Sequence, residues 1–201
     1  MPTPTLSDVI RYSAFVRRSL KAMLPMGDDD ERRALFETIC TQTWTPEAIR
    51  AKLEGIDDAE ALGLALRKLR REIVVGLVGR NASGLCGYDE VVAVMTAFAE
   101  AAVSKAKLLA ERHGVPYGLS GVPQDLLAVG MGKLGGAELN VSSDIDLVFL
   151  YGEDGETHAT PEYPKATRLL SNAEFFSRLA KRVIPALNEI EGPGFVFRVD
   201  M

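Results

Sequence analysis

Only seven residues separate Gly136 from Asp144, and that spacing decides what the glycine-rich stretch before it can belong to. In VGMGKLGGAELNVSSDIDLVFLY, residues 129–151, the run Gly130-Met131-Gly132-Lys133-Leu134-Gly135 satisfies G-x-G-x-x-G after an apolar segment, the pattern of a dinucleotide-binding turn. Such a turn opens a crossover helix of at least about ten residues before the next parallel strand. The seven residues here include Asn140, Val141 and Ser142 and carry no helical apolar stripe. A strand-loop-strand connection is therefore predicted. The P-loop pattern fails too, because Lys133 is followed by leucine where Ser or Thr is required.

The flanking runs, Leu126 to Met131 and Asp144 to Tyr151, read as strands. Alternation along the second sends Asp144 and Asp146 to one face, about 6.6 Å apart, with Ile145 and Leu147 toward the core. Two carboxylates held so close favour a cation between them, and magnesium takes oxygen ligands from one or two carboxylates plus substrate phosphates. Phe195 to Asp200 reads as a third strand, with Asp200, Arg198 and Val196 on one face and Phe195, Phe197 and Val199 on the other. If it neighbours the second strand, Asp200 becomes the third carboxylate of a two-metal centre. The competing reading makes Asp144 a turn cap with Ser142 and Ser143 and leaves Asp146 a solvated strand residue. For the glycines the alternatives are a plain tight loop or a concavity of backbone N–H groups for phosphate oxygens. Lys133 adds charge to that concavity or is an ordinary loop lysine. Ser142 and Ser143 bond phosphate, orient Asp144 or simply make the turn.

Residues 5 to 113 read as mainly helical. A break at Pro25-Met26-Gly27 is followed by acidic N-terminal residues, Asp28-Asp29-Asp30, and Thr45-Pro46-Glu47 is a further start signal. Leucines and isoleucines at helical spacing run from Ala59 to Val78, where Arg67, Lys68, Arg70, Arg71 and Glu72 read as a solvated face. A loop is predicted over Gly79 to Gly87, then a helix from Tyr88 to His113 stopped by Gly114-Val115-Pro116. The pattern changes after Gly121-Val122-Pro123. Beyond the second strand come a polar loop, Gly152 to Pro164, and a helix opened by a capping box at Ser171-Asn172-Ala173-Glu174. Its apolar stripe is Ala173, Phe176, Ala180, Val183, Leu187 and Ile190, with a bend expected at Pro185 and an end at Gly192-Pro193-Gly194.

A hydrophobic content of 47% in 201 residues predicts a globular chain with a substantial core. The net charge of -5 provides no broad basic field for nucleic acid. No run approaches the roughly 18 apolar residues of a membrane span, and the N-terminus is not that of a secretory signal. Cys40 and Cys86 form no C-x-x-C pair and His113 and His158 no metal spacing, so both thiols are expected to be buried apolar residues and the protein to be cytoplasmic.

The glycine turn, D-h-D and a distant third acid resemble the nucleotidyltransferase superfamily. More narrowly, Gly130-Met131-Gly132-Lys133-Leu134-Gly135-Gly136, Glu138-Leu139-Asn140, Ser143-Asp144-Ile145-Asp146-Leu147 and Phe197-Arg198-Val199-Asp200 resemble the bacterial glutamine synthetase adenylyltransferase/adenylyl-removing enzymes. The likeness is strong over residues 121 to 201, extends to LRKLRREIVVGLVGR, and is weak before residue 60. It implies an α+β chain, with a helical region over 1–120 and a polymerase-β-like mixed-sheet core over 121–201. The family pattern continues past the third acid with R-L-R-P, whereas this sequence ends at Met201, so an incomplete core is expected. Of the family's two catalytic domains, ELNVSSDIDL resembles the adenylyl-removing one. The implied reaction is phosphorolysis of AMP-tyrosine on adenylylated glutamine synthetase, phosphate giving ADP. The rivals are adenylyl transfer from ATP to the same tyrosine and a non-catalytic fragment that binds nucleotide or partner. The resemblance further implies two magnesium ions on Asp144, Asp146 and Asp200, and a phosphate turn of Gly130, Gly132, Gly135 and Gly136 with Lys133 and Ser143 beside it. It also implies control by glutamine and a PII-type signalling protein.

Overall fold

The computed structural model describes residues 3–113, 118–119, 124–158, 169–190 and 194–200. Six helices come first: α1 (Leu6–Tyr12), α2 (Ala14–Met23), α3 (Asp29–Thr41), α4 (Pro46–Ala51), α5 (Ala59–Ala82) and α6 (Tyr88–His113). Then follow β1 (Gly118–Leu119), β2 (Leu127–Met131), α7 (Gly132–Gly135), β3 (Ile145–Leu150), β4 (Thr157–His158), α8 (Asn172–Asn188) and β5 (Val199–Asp200). This is the expected α+β order, helices first and then a small mixed sheet.

The helix starts are written in the sequence. Thr5 and Asp28 close reciprocal capping boxes with Asp8 and Glu31, and Thr45 accepts the Ala48 N–H with Pro46 at the first helical position. Asp58 caps α5 through the Ala61 N–H. At α8 the Ser171 hydroxyl accepts the Glu174 N–H, while the Glu174 carboxylate also reaches Arg178 at 2.7 Å.

β2 and β3 pair antiparallel, Leu127 opposite Leu150 through Met131 opposite Asp146, and β5 lies parallel on the other side of β3. β1 and β4 form a separate antiparallel pair. One hydrophobic core joins the helices to the sheet: Leu66, Phe98 and Leu109 share it with Ile145, Leu147, Phe176 and Phe197. The rings of Phe98 and Phe197 lie 5.4 Å apart. A smaller cluster of Val16, Leu20, Phe36, Ile39, Cys40 and Val75 packs α2 and α3 on α5. No helix among the described residues is long and apolar enough to cross a membrane.

Four expectations are corrected. The loop predicted over Gly79 to Gly87 begins only at Ser83, because α5 runs on to Ala82. Gly79 serves there as a close contact between helices: a Cβ on it would stand 2.4 Å from Cys40 Sγ and 2.6 Å from Phe36 Cζ. The basic run on α5 is not a solvated face. Lys68 is exposed, but Arg67 is buried and Arg70 and Arg71 are half-buried, because α5 is packed on several sides. The third strand is short: only Val199 and Asp200 pair, while Val196 and Phe197 both donate N–H to Leu187 O and are both fully buried, so alternation fails there. Finally, α8 ends at Asn188; Ile190, beyond it, and Ala173, on its first turn, are exposed, although Phe176, Ala180, Val183 and Leu187 form the buried stripe. Cys40 is buried as expected and Cys86 half-buried. The signals at Gly114-Val115-Pro116, Gly121-Val122-Pro123 and Gly192-Pro193, and the loop from 159 to 164, lie outside the described residues.

Candidate functional site

The glycine stretch is the connection of a hairpin. β2 and β3 run antiparallel, which excludes the parallel strand-helix-strand unit of a dinucleotide turn, and the single turn of α7 sits between them. The glycines have different reasons to be there. Gly132 has φ +52 and a Cβ on it would lie 2.8 Å from Asp146 Oδ2, so its bareness makes room for that carboxylate. A Cβ on Gly135 would meet Gly130 O at 2.6 Å, and one on Gly130 the buried Leu134 side chain at 2.7 Å. Gly136, with φ -85, would meet nothing closer than 3.5 Å. The turn is closed by Gly136 N–H to Gly132 O at 3.0 Å and Glu138 N–H to Lys133 O at 2.8 Å. Lys133 is exposed on it.

Behind the turn the chain returns through Asn140 to Ser143. Ser143 is buried, and its Oγ accepts the Asn140 N–H at 3.3 Å, while Ser142 N–H and Oγ both donate to Asn140 Oδ1 at 3.0 Å. Of the three roles open to these serines in the sequence, turn-making is the one the hydrogen bonds display.

The carboxylates are brought together in part. Asp146 is the register partner of Met131 on one side and of Asp200 on the other, and both aspartates are exposed. Parallel neighbours lie about 4.8 Å apart, so these carboxylates share one patch of surface beside Gly132. Asp144 stands just before β3, and its Oδ1 accepts from Arg198 Nε at 2.7 Å. Among the described residues no three Asp, Glu, His or Cys side chains converge as a metal-holding group. Two exposed carboxylates in register are nonetheless hard oxygen donors of the kind magnesium takes together with substrate phosphates, so Asp146 and Asp200 fit that ion.

Two arginines complete the site, and the sequence reading gave neither a role in it. Arg198 pairs with Asp144, and its carbonyl accepts the Ile145 N–H at 2.9 Å, so it ties the start of β3 to the approach to β5. Its placement two residues before Asp200 was the available signal. Arg70 on α5 donates from Nη2 to Val141 O at 2.9 Å, and its guanidinium lies 5.1 Å from the Phe195 ring and 5.9 Å from the Phe197 ring. It therefore braces both segments that lead to the aspartates. Burial lowers its pKa from the ordinary arginine value.

The glutamate-ammonia ligase adenylyltransferase family pattern matches residues 4–201. The bifunctional glutamine synthetase adenylyltransferase/adenylyl-removing enzyme of Ralstonia nicotianae is 51% identical over 208 residues, covering 100% of this chain and 21% of that protein. The proteins of the same description from Bordetella pertussis and Chromobacterium violaceum are 39% and 40% identical, covering 98% and 100% of this chain and 21% and 22% of theirs. The chain thus spans about a fifth of the length of these relatives.

Proposed function

This chain belongs to the glutamate-ammonia ligase adenylyltransferase family, and on that premise we propose that it carries the site of adenylyl removal from glutamine synthetase. Inorganic phosphate attacks the phosphorus of the AMP-tyrosine linkage. The new P–O–P bond makes ADP as the bond to the tyrosine oxygen breaks, and the phenolate leaves and takes up a proton. The pairing of Asp146 with Asp200 beside Gly132 is the observation that supports this reading best, because it sets two oxygen-donor side chains against a glycine turn.

In this reading the open backbone of the turn and the Lys133 ammonium bind phosphate oxygens and set the attacking and leaving oxygens in line. Asp146 and Asp200 would hold magnesium, which when bound offsets charge on those oxygens. Asp144, held by Arg198, positions the start of β3 and is available as a further oxygen donor beside Asp146 and Asp200. Ser143 supports the loop from within. Regulation by glutamine and a PII-type signalling protein, in the cytoplasm, is part of the same proposal.

The test is Asp146→Asn in a chain of the relatives' full length, assayed for phosphate-dependent release of ADP from adenylylated glutamine synthetase. A loss of about 10²-fold or more with an unchanged melting curve is expected. Near-normal release would overturn the assignment, and loss in this variant of pyrophosphate formation from ATP, with ADP release intact, would assign the opposite reaction to this domain.

A further inference from the structure

One step back along β3 and β5 from Asp146 and Asp200, a third carboxylate already has a cation beside it. Ile145 is the register partner of Val199 and Asp146 that of Asp200, so Asp144 and Arg198 form the preceding pair. Side-chain alternation returns that pair to the face of the two aspartates. Exposure follows the same alternation: Ile145 is buried and Val199 half-buried, whereas Asp146, Arg198 and Asp200 are exposed. Arg198 Nε donates to Asp144 Oδ1 at 2.7 Å, and the two side chains are 65% and 41% exposed, so water can replace either partner. Among the described residues neither the Asp146 nor the Asp200 carboxylate has a hydrogen bond or an ion pair.

We infer that Arg198 is a positioning residue that governs when Asp144 joins its neighbours as a metal ligand, because its guanidinium and a divalent cation compete for the same carboxylate. The inference rests on the reading that Asp146 and Asp200 take magnesium. An ion pair this exposed contributes little in water, so it yields to a stronger competitor. A divalent cation on Asp146 and Asp200 is such a competitor. It repels a guanidinium one alternation step away, roughly 6–7 Å along the strand, and attracts the carboxylate that the guanidinium holds. Without the cation, Arg198 offsets one of three like charges on this face. With it, Asp144 is released and becomes a further oxygen donor. Arg198 O accepts the Ile145 N–H whether or not the side chain moves, so the exchange leaves the strand pairing in place.

The test adds manganese, which takes the same kind of oxygen ligands, to the chain at constant ionic strength and follows the free ion by its paramagnetic resonance signal. Arg198→Gln is expected to tighten binding about three- to tenfold with little change in melting temperature, because a competitor and a like charge are both removed. Arg198→Lys, which keeps the charge, should bind close to wild type, and Asp146→Asn should lose the binding. A second measurement needs no substitution in the protein observed: magnesium is added to wild type and the Arg198 Nε–H resonance is followed, assigned by its loss in Arg198→Lys. It should move to the position it takes in Asp144→Asn, where the carboxylate is gone. Unchanged or weaker manganese binding in Arg198→Gln would make the arginine a structural clip and overturn the inference. A resonance that stays at its starting position in saturating magnesium would overturn it as well. No manganese binding by wild type would overturn it together with the magnesium reading, whereas near-normal ADP release from Asp146→Asn would remove the catalytic assignment and leave these two measurements as they stand.

Discussion

Alanine at Gly132 and alanine at Gly136 separate backbone demand from mere glycine content within one turn. Both substitutions restrict the unfolded chain equally, so the comparison cancels that contribution and leaves the folded-state difference. Gly132 lies in the left-handed region at φ +52, where a residue with a Cβ costs about 1–2 kcal/mol, whereas Gly136 at φ -85 costs nothing of this kind. For a chain of this size the difference amounts to a melting temperature about 2–8 °C lower for Gly132→Ala than for Gly136→Ala. The Cβ at 132 also stands 2.8 Å from Asp146 Oδ2, and the exposed carboxylate must move aside to accommodate it. In the phosphate-dependent ADP assay that displacement is expected to cost up to about 10²-fold, with Gly136→Ala near wild type. Thermal melts followed by circular dichroism decide the first part. A Gly132→Ala protein that melts at or above Gly136→Ala would refute the backbone argument, and equal losses of activity would show that approach of the ligand to the whole turn, not room for Asp146, fixes the glycines.

Arg70→Lys keeps the charge but loses the planar fork that reaches Val141 O and lies over two phenylalanine rings, so a lower urea midpoint corresponding to about 1–3 kcal/mol is expected. Cys40 gives a pH signature: burial pushes its thiol from 9.0 up to about 11, so the contribution is fully present below pH 9 and lost as pH rises from there through 11. Denaturant midpoints should therefore fall more steeply over that interval in wild type than in Cys40→Ala; parallel slopes would remove burial of the thiol as the cause.

The hairpin and the helix starts were legible because short-range chemistry writes them. Alternation in the two apolar runs and the seven-residue gap gave a hairpin, and the caps at Thr45 and Asp28 marked helix starts directly. What escaped depends on tertiary packing. Gly79 looks like a loop residue in isolation, and only the approach of Phe36 and Cys40 explains a glycine inside α5. Arg67 and Arg70 look solvated on charge alone, since nothing near them in sequence announces that α2, Val141, Phe195 and Phe197 close over that face. Arg198 pairs with a residue far upstream, so its hold on Asp144 could not be read locally. Whether Asp200 neighbours the second strand was open in the sequence; the structure pairs it with Asp146, but strand alternation over Phe195 to Phe197 gave way to the two N–H bonds that Leu187 O accepts.

The parallel pairing of β5 with β3 has a thermodynamic consequence. Asp146 and Asp200 are 54 positions apart, 200 minus 146, and α8, which lies between them in the chain, is packed on the core they flank. An unfolded chain closes a loop of that length at an entropic cost and offers no preassembled pair. Any ligand that bridges the two carboxylates therefore acts as a reversible cross-link: it selects molecules in which β5 is already paired with β3, and its binding free energy adds to the stability of that folded state.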